Sequence, residues 1–456
     1  MSFLSELPSQ RILVIGAGIT GRAVVQFLRG VGTTRITVLD EKSKDIEGAL
    51  LLTALTNNDF DLAIVSPGWK RESAIFSELS AAGVEIISEL DFAWRIKSEI
   101  APAQKWLALT GTNGKTTTVQ MVESIFQSAQ VHGIACGNVG TTVIEALQTN
   151  PPLDVLIIEL SSFQIEWSSE ARFETVALLN IADDHIDWHG SFDNYANAKL
   201  SLLHKAKSAI LNSADPEIVL RSSSWAGKKI FFSLDTPGAN EVGLVENLLI
   251  DRAFGESDSA AEVIAELTDI NPAVPHNVMN ALAAAALALS YGISHESVRT
   301  GLAAFTPDRH RLELIHEADG ISWVDDSKAT NPHAALAALG SYLSVVWIAG
   351  GLAKGARMDS LISRAASRVK AAILIGEDRD VIATSLKEIA PEIPVFFIDK
   401  ESTSQAMMDA VVVKARELAV SGDTVLLAPA CASMDQFTSY AQRGEFFTDG
   451  VKRLIS

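Results

Sequence analysis

The segment WLALTGTNGKTTTVQMVESIF, residues 106–126, combines an apolar strand, a glycine-containing turn and an amphipathic helix in direct succession. Apolar side chains recur at helical spacing in its second half, at Met121, Val122, Ile125 and Phe126. Glycines let such a turn adopt positive φ angles and bring backbone N–H groups close to a phosphate, and the helix N-terminus adds about half a positive charge. The segment therefore predicts a nucleotide-binding loop in an α/β domain.

The side chains of this turn indicate which groups bind the nucleotide. Lys115 is placed to reach the β- and γ-phosphates, and the hydroxyl of Thr116 is placed to bind Mg²⁺. The common phosphate loop has a glycine where this chain has Leu109, and a surface turn rich in threonine and glycine is the alternative. Strand, loop, GKT and helix in register favour phosphate binding. The predicted ATP-binding residues of the loop are Gly111, Thr112, Asn113, Gly114, Lys115, Thr116 and Thr117.

Working outward from this loop, short apolar runs alternate with longer amphipathic stretches along the whole chain, which is typical of parallel α/β architecture. The pattern restarts near Ala101-Pro102 and again near Thr306-Pro307. We therefore predict an α/β protein of three domains. These are an N-terminal Rossmann-like domain (1–101), a central P-loop ATPase-like domain with a parallel sheet (102–306) and a C-terminal Rossmann-like domain (307–456).

The first block contains a second glycine turn, GAGITG from Gly16, directly after the strand candidate ILVIG, and Asp40 ends the next strand candidate. This is the fingerprint of a dinucleotide-binding turn, in which a pyrophosphate lies on a helix N-terminus. The pattern fits the diphosphate of a UDP-sugar as well as it fits NAD. An NAD-dependent oxidoreductase is therefore one alternative, but it leaves GTNGKTT and the third block unexplained.

Composition limits the functional class further. The chain of 456 residues carries 37 Lys and Arg against 56 Asp and Glu, a formal net charge of −19, which disfavours binding to nucleic acid or an anionic membrane surface. Only two cysteines are present, without metal-binding or disulfide spacing, and no apolar stretch is long enough to span a bilayer. We expect a cytoplasmic protein, monomeric, with no nucleic-acid or membrane partner.

The loop GTNGKTT resembles the ATP loop of the Mur ligase and folylpolyglutamate synthase superfamily, and further motifs follow in the expected order over nearly the whole chain. They are ELSSFQ from Glu159, Asp184-His185, YANAK from Tyr195, HNVMN from His276, His310-Arg311, DDSKATNP from Asp325, GGLAKG from Gly350 and CASMDQF from Cys431. Within that superfamily, ELSSFQ and CASMDQF resemble the D-glutamate-adding branch of the Mur ligases. Sister ligases that add alanine, a diamino acid or a dipeptide are the nearest alternatives.

This resemblance implies ATP-dependent ligation of D-glutamate to UDP-N-acetylmuramoyl-L-alanine through an acyl-phosphate, giving ADP and phosphate, in peptidoglycan precursor synthesis. It also implies that Thr116 and Glu159 hold one Mg²⁺, that His185 helps to hold a second, and that Lys199 is carbamylated by CO₂ and becomes an anionic metal ligand. The catalytic residues implied are Lys115, Glu159, His185 and Lys199. Taken singly, Glu159 could be a water-exposed carboxylate at a strand end and Lys199 a solvated helix lysine. A nucleotide-binding regulatory module would explain the loop but not this cluster.

The resemblance assigns the remaining binding residues by motif. Asn277 and Asn280 lie on one helix face, where their amides can point together at adenine, although Asn277 could simply cap the helix. To the ATP site the family adds Arg311 and Asp326. For the UDP-linked substrate the implied residues are Gly18, Ile19, Thr20, Asp40, Gly68 and Asn138. For D-glutamate they are His185, Lys328, Thr330, Lys354, Ser433 and Tyr440.

Overall fold

A computed structural model describes residues 2–41, 46–47, 49–55, 58–255, 261–399, 401 and 403–455. Three β-sheets occur within these residues. The chain divides into two units: the first contains residues 1–181, 185–270 and 277–305, and the second contains residues 182–184, 271–276 and 306–456. The first unit holds two of the sheets, and the second unit holds the third.

The first sheet is entirely parallel, with the strand order β3-β2-β1-β4-β5. Its strands are β1 (Arg11–Ile15), β2 (Arg35–Leu39), β3 (Leu50–Leu52), β4 (Leu62–Val65) and β5 (Glu85–Ser88). Its helices are α1 (Phe3–Glu6), α2 (Ile19–Gly30), α3 (Ala74–Ala81) and α4 (Glu89–Ile100). Because strand order reverses on either side of β1, the GAGITG turn after β1 lies at the switch point, where open α/β sheets bind their ligands.

The second sheet has nine strands in the order β14-β13-β12-β11-β10-β9-β6-β8-β7. They are β6 (Lys105–Thr110), β7 (Gly133–Gly137), β8 (Val155–Glu159), β9 (Phe173–Leu178), β10 (Ala206–Asn212), β11 (Lys228–Phe232), β12 (Glu241–Val245), β13 (Leu248–Asp251) and β14 (Glu262–Glu266). The accompanying helices are α5 (Lys115–Ser128), α6 (Val143–Ala146), α7 (Ser162–Trp167), α8 (Ile186–His189), α9 (Phe192–Leu200), α10 (Pro216–Ser222), α11 (Pro275–Tyr291) and α12 (His295–Ala304).

This central sheet is parallel from β7 to β12, as expected, but its far edge is antiparallel, since β12, β13 and β14 pair in an antiparallel meander. The prediction of a parallel central sheet is therefore incomplete. A two-residue turn joins β12 to β13, and its Glu246 has a φ of +55°. Asn-Gly or Asp-Gly usually marks such a hairpin, and this turn has neither, so no strong local signal predicts the hairpin.

The third sheet has the order β15-β16-β20-β17-β18-β19, and only the β15–β16 pair is antiparallel. Its strands are β15 (Glu313–Ala318), β16 (Ile321–Asp325), β17 (Val345–Gly350), β18 (Val369–Ile375), β19 (Val395–Phe397) and β20 (Thr424–Leu427). Its helices are α13 (Pro332–Leu339), α14 (Asp359–Ala365), α15 (Arg379–Ile389), α16 (Ser404–Leu418) and α17 (Tyr440–Leu454).

The strands that lead to the predicted sites are buried. All five residues of β8 and all six of β17 are buried, and β6 is exposed only at Lys105. Continuous apolar strands of this kind are expected where helices cover both faces of a parallel sheet. The α/β class predicted from the sequence is thus confirmed. Among the described residues, the helices are all too short or too polar to cross a membrane.

Candidate active site

The predicted phosphate loop joins β6 to α5 and has the backbone that its glycines suggested. Gly114 precedes α5 with a φ of +82°, and a Cβ atom there would lie 2.4 Å from Oδ1 of Asn280. A Cβ on Gly111 would lie 2.9 Å from Cβ of Leu179. Glycine is therefore required at both positions, because a Cβ atom would come too close to Asn280 or to Leu179. Asn280, predicted at the adenine, is placed directly beside the loop.

Asn180, which follows β9, holds the loop in shape. Its Oδ1 accepts a hydrogen bond from the backbone N–H of Asn113 at 2.8 Å, and its Nδ2 donates to the carbonyl of Asn113 at 3.0 Å. The backbone carbonyl of Asn180 accepts from the N–H of Thr112 at 2.9 Å. Sequence reasoning missed this residue. Its position as the last residue of the predicted strand VALLN, at the sheet edge where ligands bind, was the available signal.

Two lysines contact the same loop. Lys115 donates to the carbonyls of Gly111 and Thr112, at 2.9 and 3.1 Å. Lys199 is 2% exposed and donates to the carbonyl of Gly111 at 2.9 Å and to Oγ1 of Thr110 at 3.3 Å. The structure thus excludes the alternative of a solvated helix lysine for Lys199.

Tyr195 ties α9 to the phosphate loop. Its hydroxyl lies 2.9 Å from Oγ1 of Thr112, and its ring lies 4.8 Å from Nζ of Lys199. The tyrosine is 1% exposed. The YANAK motif therefore supplies two side chains to the loop, although only its lysine was predicted to have a role.

Glu159 ends β8, which pairs with β6 so that Glu159 lies opposite Leu109, next to the start of the loop. The side chain is 1% exposed, and its Oε1 accepts from Nδ2 of Asn138 at 2.9 Å. Its Oε2 is buried and makes no hydrogen bond to the described residues. A buried carboxylate oxygen without a donor is costly unless a cation or water satisfies it. Glu159 and the hydroxyl of Thr116 are the hard oxygen donors that Mg²⁺ prefers, so this pair fits the metal that the sequence predicted.

His185 lies at the start of the one-turn helix α8, with a φ of +53° and an exposed side chain. Its ring is 4.8 Å from the ring of Phe163, which belongs to the ELSSFQ motif. His189, at the other end of α8, places Nε2 2.9 Å from Oγ of Ser162. Burial, with the neighbouring His185 and Lys199, lowers the pKa of His189 to about 4, so His189 is neutral at neutral pH. The DH and ELSSFQ motifs are therefore adjacent in the structure.

The GAGITG turn of the first sheet is held by Asp40, whose Oδ2 accepts from the backbone N–H of Ala17 at 2.7 Å. Gly18 precedes α2, and the Ile19 side chain is 76% exposed. Thr20 contacts Oγ of Ser66 at 3.4 Å and also hydrogen-bonds Glu89. Burial raises the pKa of Glu89 to about 7. Asp40 thus helps to shape the predicted diphosphate turn. The buried carboxyl of Glu89, which bonds to Thr20 of the turn, was not predicted.

In the second unit, the predicted residues follow its strands. Asp326 comes directly after β16, and burial together with the charge of Asp325 raises the pKa of Asp326 to about 7. Arg311 lies in the turn before β15, where Nδ1 of His310 is 2.6 Å from Oδ2 of Asp325. The Nζ of Lys328 lies 4.0 Å above the ring of Tyr440.

Apart from His185, which belongs to the first unit, the other predicted D-glutamate residues lie in loops of the second unit. Thr330 donates its backbone N–H to the carbonyl of Lys328, and Ser433 is 4% exposed. Lys354 lies in the loop after β17, exposed and with a φ of +50°. The structure therefore brings Lys328 and Tyr440 together and places Thr330, Lys354 and Ser433 in loops near strand ends.

Arg443 of α17 connects three of these loops, and sequence reasoning missed it. The side chain is fully buried and donates to the carbonyls of Ser327, Gly350 and Cys431, and to Oγ of Ser327. Burial lowers the pKa of Arg443 to about 10. An arginine in an amphipathic helix is normally taken for part of the solvated face, so no local signal identified it.

The chain is similar to known proteins over nearly its whole length. Residues 109–288 match the model of the Mur ligase middle domain, and residues 310–431 match that of the Mur ligase glutamate ligase domain. The chain is 43% identical to UDP-N-acetylmuramoylalanine--D-glutamate ligase of Streptomyces coelicolor over 99% of both chains. It is 44% identical to the Thermobifida fusca protein of the same name, over 98% of this chain and 99% of that one. A pseudomurein peptide ligase type C from Methanothermus fervidus shares the fold, with a TM-score of 0.64 at 18% identity over 98% of this chain and all of that chain.

Proposed function

This chain belongs to the Mur ligase family, and from that membership we propose that it joins D-glutamate to UDP-N-acetylmuramoyl-L-alanine in an ATP-dependent step of peptidoglycan precursor synthesis. The observation that carries the proposal is the full-length similarity to ligases of that name, at 43% and 44% identity. The buried Glu159 carboxylate beside a phosphate loop supports the chemistry independently of the names.

The reaction needs an activated carboxylate. A carboxylate oxygen of the UDP-linked substrate attacks the γ-phosphorus of ATP, and the bond from that phosphorus to the bridging oxygen breaks as ADP leaves. The amine of D-glutamate then attacks the carbonyl carbon of the acyl-phosphate, phosphate leaves, and the nitrogen loses a proton. Because the protein has little covalent chemistry to perform, its task is to position the groups and neutralise charge.

The phosphate loop accounts for nucleotide binding in this proposal. The N–H groups of Gly111 to Thr117 and the ammonium of Lys115 bind the phosphates, and Lys115 already lies across the loop. Asn277 and Asn280 are both nearly buried on α11 and are proposed to contact adenine. Arg311 and Asp326 are proposed, from the family resemblance, to contact ATP.

Thr116 and Glu159 are proposed to hold one Mg²⁺ and His185 to help hold a second. When bound, Mg²⁺ offsets the negative charge of the phosphates and orients them. The buried Oε2 of Glu159 is the feature that supports a cation at this position.

We also propose that the Lys199 amine adds CO₂ and loses a proton, which gives a carbamate that serves as a further anionic ligand. Burial of Lys199 against the phosphate loop supports a role at the nucleotide. A Lys199→Ala protein should lose most of its turnover, and added acetate should restore part of it. Full activity of Lys199→Ala would refute this role.

The UDP-linked substrate is assigned to the first domain, at Gly18, Ile19, Thr20, Asp40 and Gly68, with Asn138 from the central domain. Support comes from the exposed Ile19 at the N-terminus of α2, where a diphosphate would lie. D-glutamate is assigned to His185, Lys328, Thr330, Lys354, Ser433 and Tyr440. The chain itself supplies every proposed ligand residue, so we propose that it acts as a monomer. We also propose that it acts in the cytoplasm.

Phosphate release tests the proposal. The purified protein is assayed with ATP, Mg²⁺, UDP-N-acetylmuramoyl-L-alanine and a panel of D- and L-amino acids, with NADH absorbance followed in parallel. D-glutamate alone should give ADP in stoichiometric amounts, and NADH should not change. Equal release with L-alanine or a diamino acid would instead place the chain with a sister ligase.

A further inference from the structure

The segment from Ser66 to Arg71, which we call the substrate loop because it contains Gly68, is attached to the central domain at two separate points. At the first point, Nε1 of Trp188 donates to the carbonyl of Gly68 at 3.3 Å, and Nζ of Lys70 donates to the carbonyl of Asp187 at 3.0 Å. Both bonds reach α8, the helix that begins after His185.

The second attachment point lies at the end of α7. There, Nε1 of Trp167 donates to the carbonyl of Trp69 at 2.7 Å, and Arg71 donates to the carbonyl of Glu166 at 2.8 Å. The guanidinium of Arg71 also lies 4.7 Å from the Trp167 ring. The Trp188 indole thus bonds the substrate loop to α8, and the Trp167 indole bonds the substrate loop to α7.

The positions of α8 and of His185, which precedes it, depend on contacts with other parts of the protein. Its helix α8 has only four residues and lies between two left-handed positions, His185 at a φ of +53° and Gly190 at +79°. A single turn of helix has almost no stability of its own, since nucleation costs more than one turn returns. The placement of His185 is therefore set by what α8 touches.

Trp188 is the side chain of α8 that joins these packing contacts to the substrate loop. Its ring lies 4.7 Å from the ring of Phe163 and 4.5 Å from that of His189. Phe163 in turn lies 4.8 Å from the His185 ring. Packing fixes the plane of the Trp188 indole, and the hydrogen bond to the Gly68 carbonyl fixes the indole against the substrate loop.

We propose that Trp188 is a positioning residue that links occupancy of the substrate loop by the UDP-linked substrate to the placement of His185, with Lys70 reinforcing the link. The inference rests on the proposed function, in which Gly68 lies along that substrate and His185 serves the second metal and D-glutamate. Substrate bound at Gly68 orders the Gly68 carbonyl, which accepts the hydrogen bond from Trp188. The same hydrogen bond then holds α8 in place.

The test compares two matched indoles. Trp188→Phe keeps an aromatic ring and removes the N–H that donates to Gly68. Trp167→Phe removes an equivalent N–H, which donates to the same loop but belongs to α7, and so leaves the bonds of α8 intact. For Trp188→Phe, we expect KM for the UDP-linked substrate, KM for D-glutamate and the Mg²⁺ concentration for half-maximal rate each to rise about threefold to tenfold. KM for ATP should stay within about twofold of wild type. In Trp167→Phe, D-glutamate and Mg²⁺ dependence should remain at the wild-type values.

Calorimetric titration of the full-length protein with UDP-N-acetylmuramoyl-L-alanine, without ATP, gives a readout that is independent of turnover. The affinity should fall in Trp188→Phe by about the same factor as KM rises. Thermal denaturation of both variants identifies any general loss of structure. A Lys70→Met variant should shift the same constants in the same direction, and Arg71→Met, which loses the bond to Glu166 and the contact with the Trp167 ring but no bond to α8, should not shift the Mg²⁺ dependence.

The inference is overturned if the two phenylalanine variants shift every constant equally, or if Trp188→Phe leaves the D-glutamate and Mg²⁺ dependence unchanged. Wild-type protein is assayed first. Absence of D-glutamate ligation by wild type contradicts the proposed function, whereas normal wild-type ligation with equal effects of the two variants contradicts only the link through Trp188.

Discussion

The side-chain amide of Asn138 donates to one carboxylate oxygen of Glu159 at 2.9 Å, and the other oxygen of Glu159 is buried with no hydrogen-bond partner among the described residues. The backbone N–H of Asn138 also donates to the carbonyl of Glu159. Asn138 is proposed to contact the UDP-linked substrate and Glu159 to bind a metal. The two proposed sites are therefore joined by a direct bond, and the orientation of the carboxylate proposed to bind metal depends on a residue that is also proposed to contact substrate.

Replacing Glu159 with Gln should separate catalysis from stability. The amide keeps the shape of the side chain but supplies no anionic oxygen, so turnover at about 1 mM Mg²⁺ should fall about 100-fold. The melting temperature should stay the same or rise, because a buried charge is removed. Steady-state kinetics over a range of Mg²⁺ and thermal denaturation check both. Wild-type turnover in Glu159→Gln would show that this carboxylate holds no essential metal.

Gly114→Ala should abolish the nucleotide site at a modest cost in stability. A left-handed alanine costs about 1–2 kcal/mol, and the new Cβ would also strike Asn280. Gly83→Ala is the matched control, since Gly83 has a φ of +79° and nothing within 4 Å of its Cβ position. Both variants should lose stability through the left-handed alanine, and Gly114→Ala should lose more because of the contact with Asn280. Only Gly114→Ala should lose affinity for a non-hydrolysable ATP analogue, by about tenfold or more in a calorimetric titration.

Glu89 should make stability depend on pH. Burial raises its pKa from 4.5 to about 7, so the folded state favours the protonated acid. Its contribution is complete below about pH 4.5, decreases as the pH rises, and is lost above about pH 7. The difference in unfolding free energy between wild type and Glu89→Gln should therefore shift against wild type by up to about 3 kcal/mol from pH 4.5 to pH 8.

Chemical denaturation of both proteins at several pH values measures this difference, and Glu78→Gln, at an exposed position on α3, controls for the loss of one negative charge. A pH-independent difference between wild type and Glu89→Gln would mean that Glu89 ionises normally in the folded protein.

Arg443→Met should damage D-glutamate binding selectively. The change leaves the buried carbonyls of Ser327, Gly350 and Cys431 without their donor, which should cost about 3–5 kcal/mol. The loops that carry Lys328, Lys354 and Ser433 then lose their common anchor. We expect KM for D-glutamate to rise about tenfold or more, with KM for the UDP-linked substrate unchanged. Arg453→Met, on the same helix and bonded to Asp409, should leave both constants unchanged. Equal effects on both substrates would refute the selective role.

The sequence predicted those features that depend on local chemistry. Gly114, Lys115 and the helix after them form a pattern within a few residues, and the structure has the same strand, turn and helix. The position of Glu159 at the end of a buried strand was likewise predictable from the apolar run VLIIE. The antiparallel pairing of β12 with β13 was not predictable in this way, because it depends on a turn without a glycine or proline signal.

Residues whose roles depend on distant partners were missed for a physical reason. Asn180 is separated from Asn113 by 67 positions, and Arg443 from Ser327 by 116, so no periodicity within either helix or strand could reveal the bonds. The family resemblance assigned roles in ligand contact and left out the residues that hold the proposed ligand-binding loops. Burial of Arg443 and Glu89 became visible only once the sheets were assembled.

Oxygen transfer from substrate to phosphate tests the central claim most directly. UDP-N-acetylmuramoyl-L-alanine labelled with ¹⁸O in its carboxylate is incubated with the protein, ATP, Mg²⁺ and D-glutamate, and the released phosphate is analysed by mass spectrometry. An acyl-phosphate route transfers one carboxylate oxygen to phosphate, so each phosphate should carry one oxygen from the labelled pool. Amide product formed together with unlabelled phosphate would contradict the proposed chemistry.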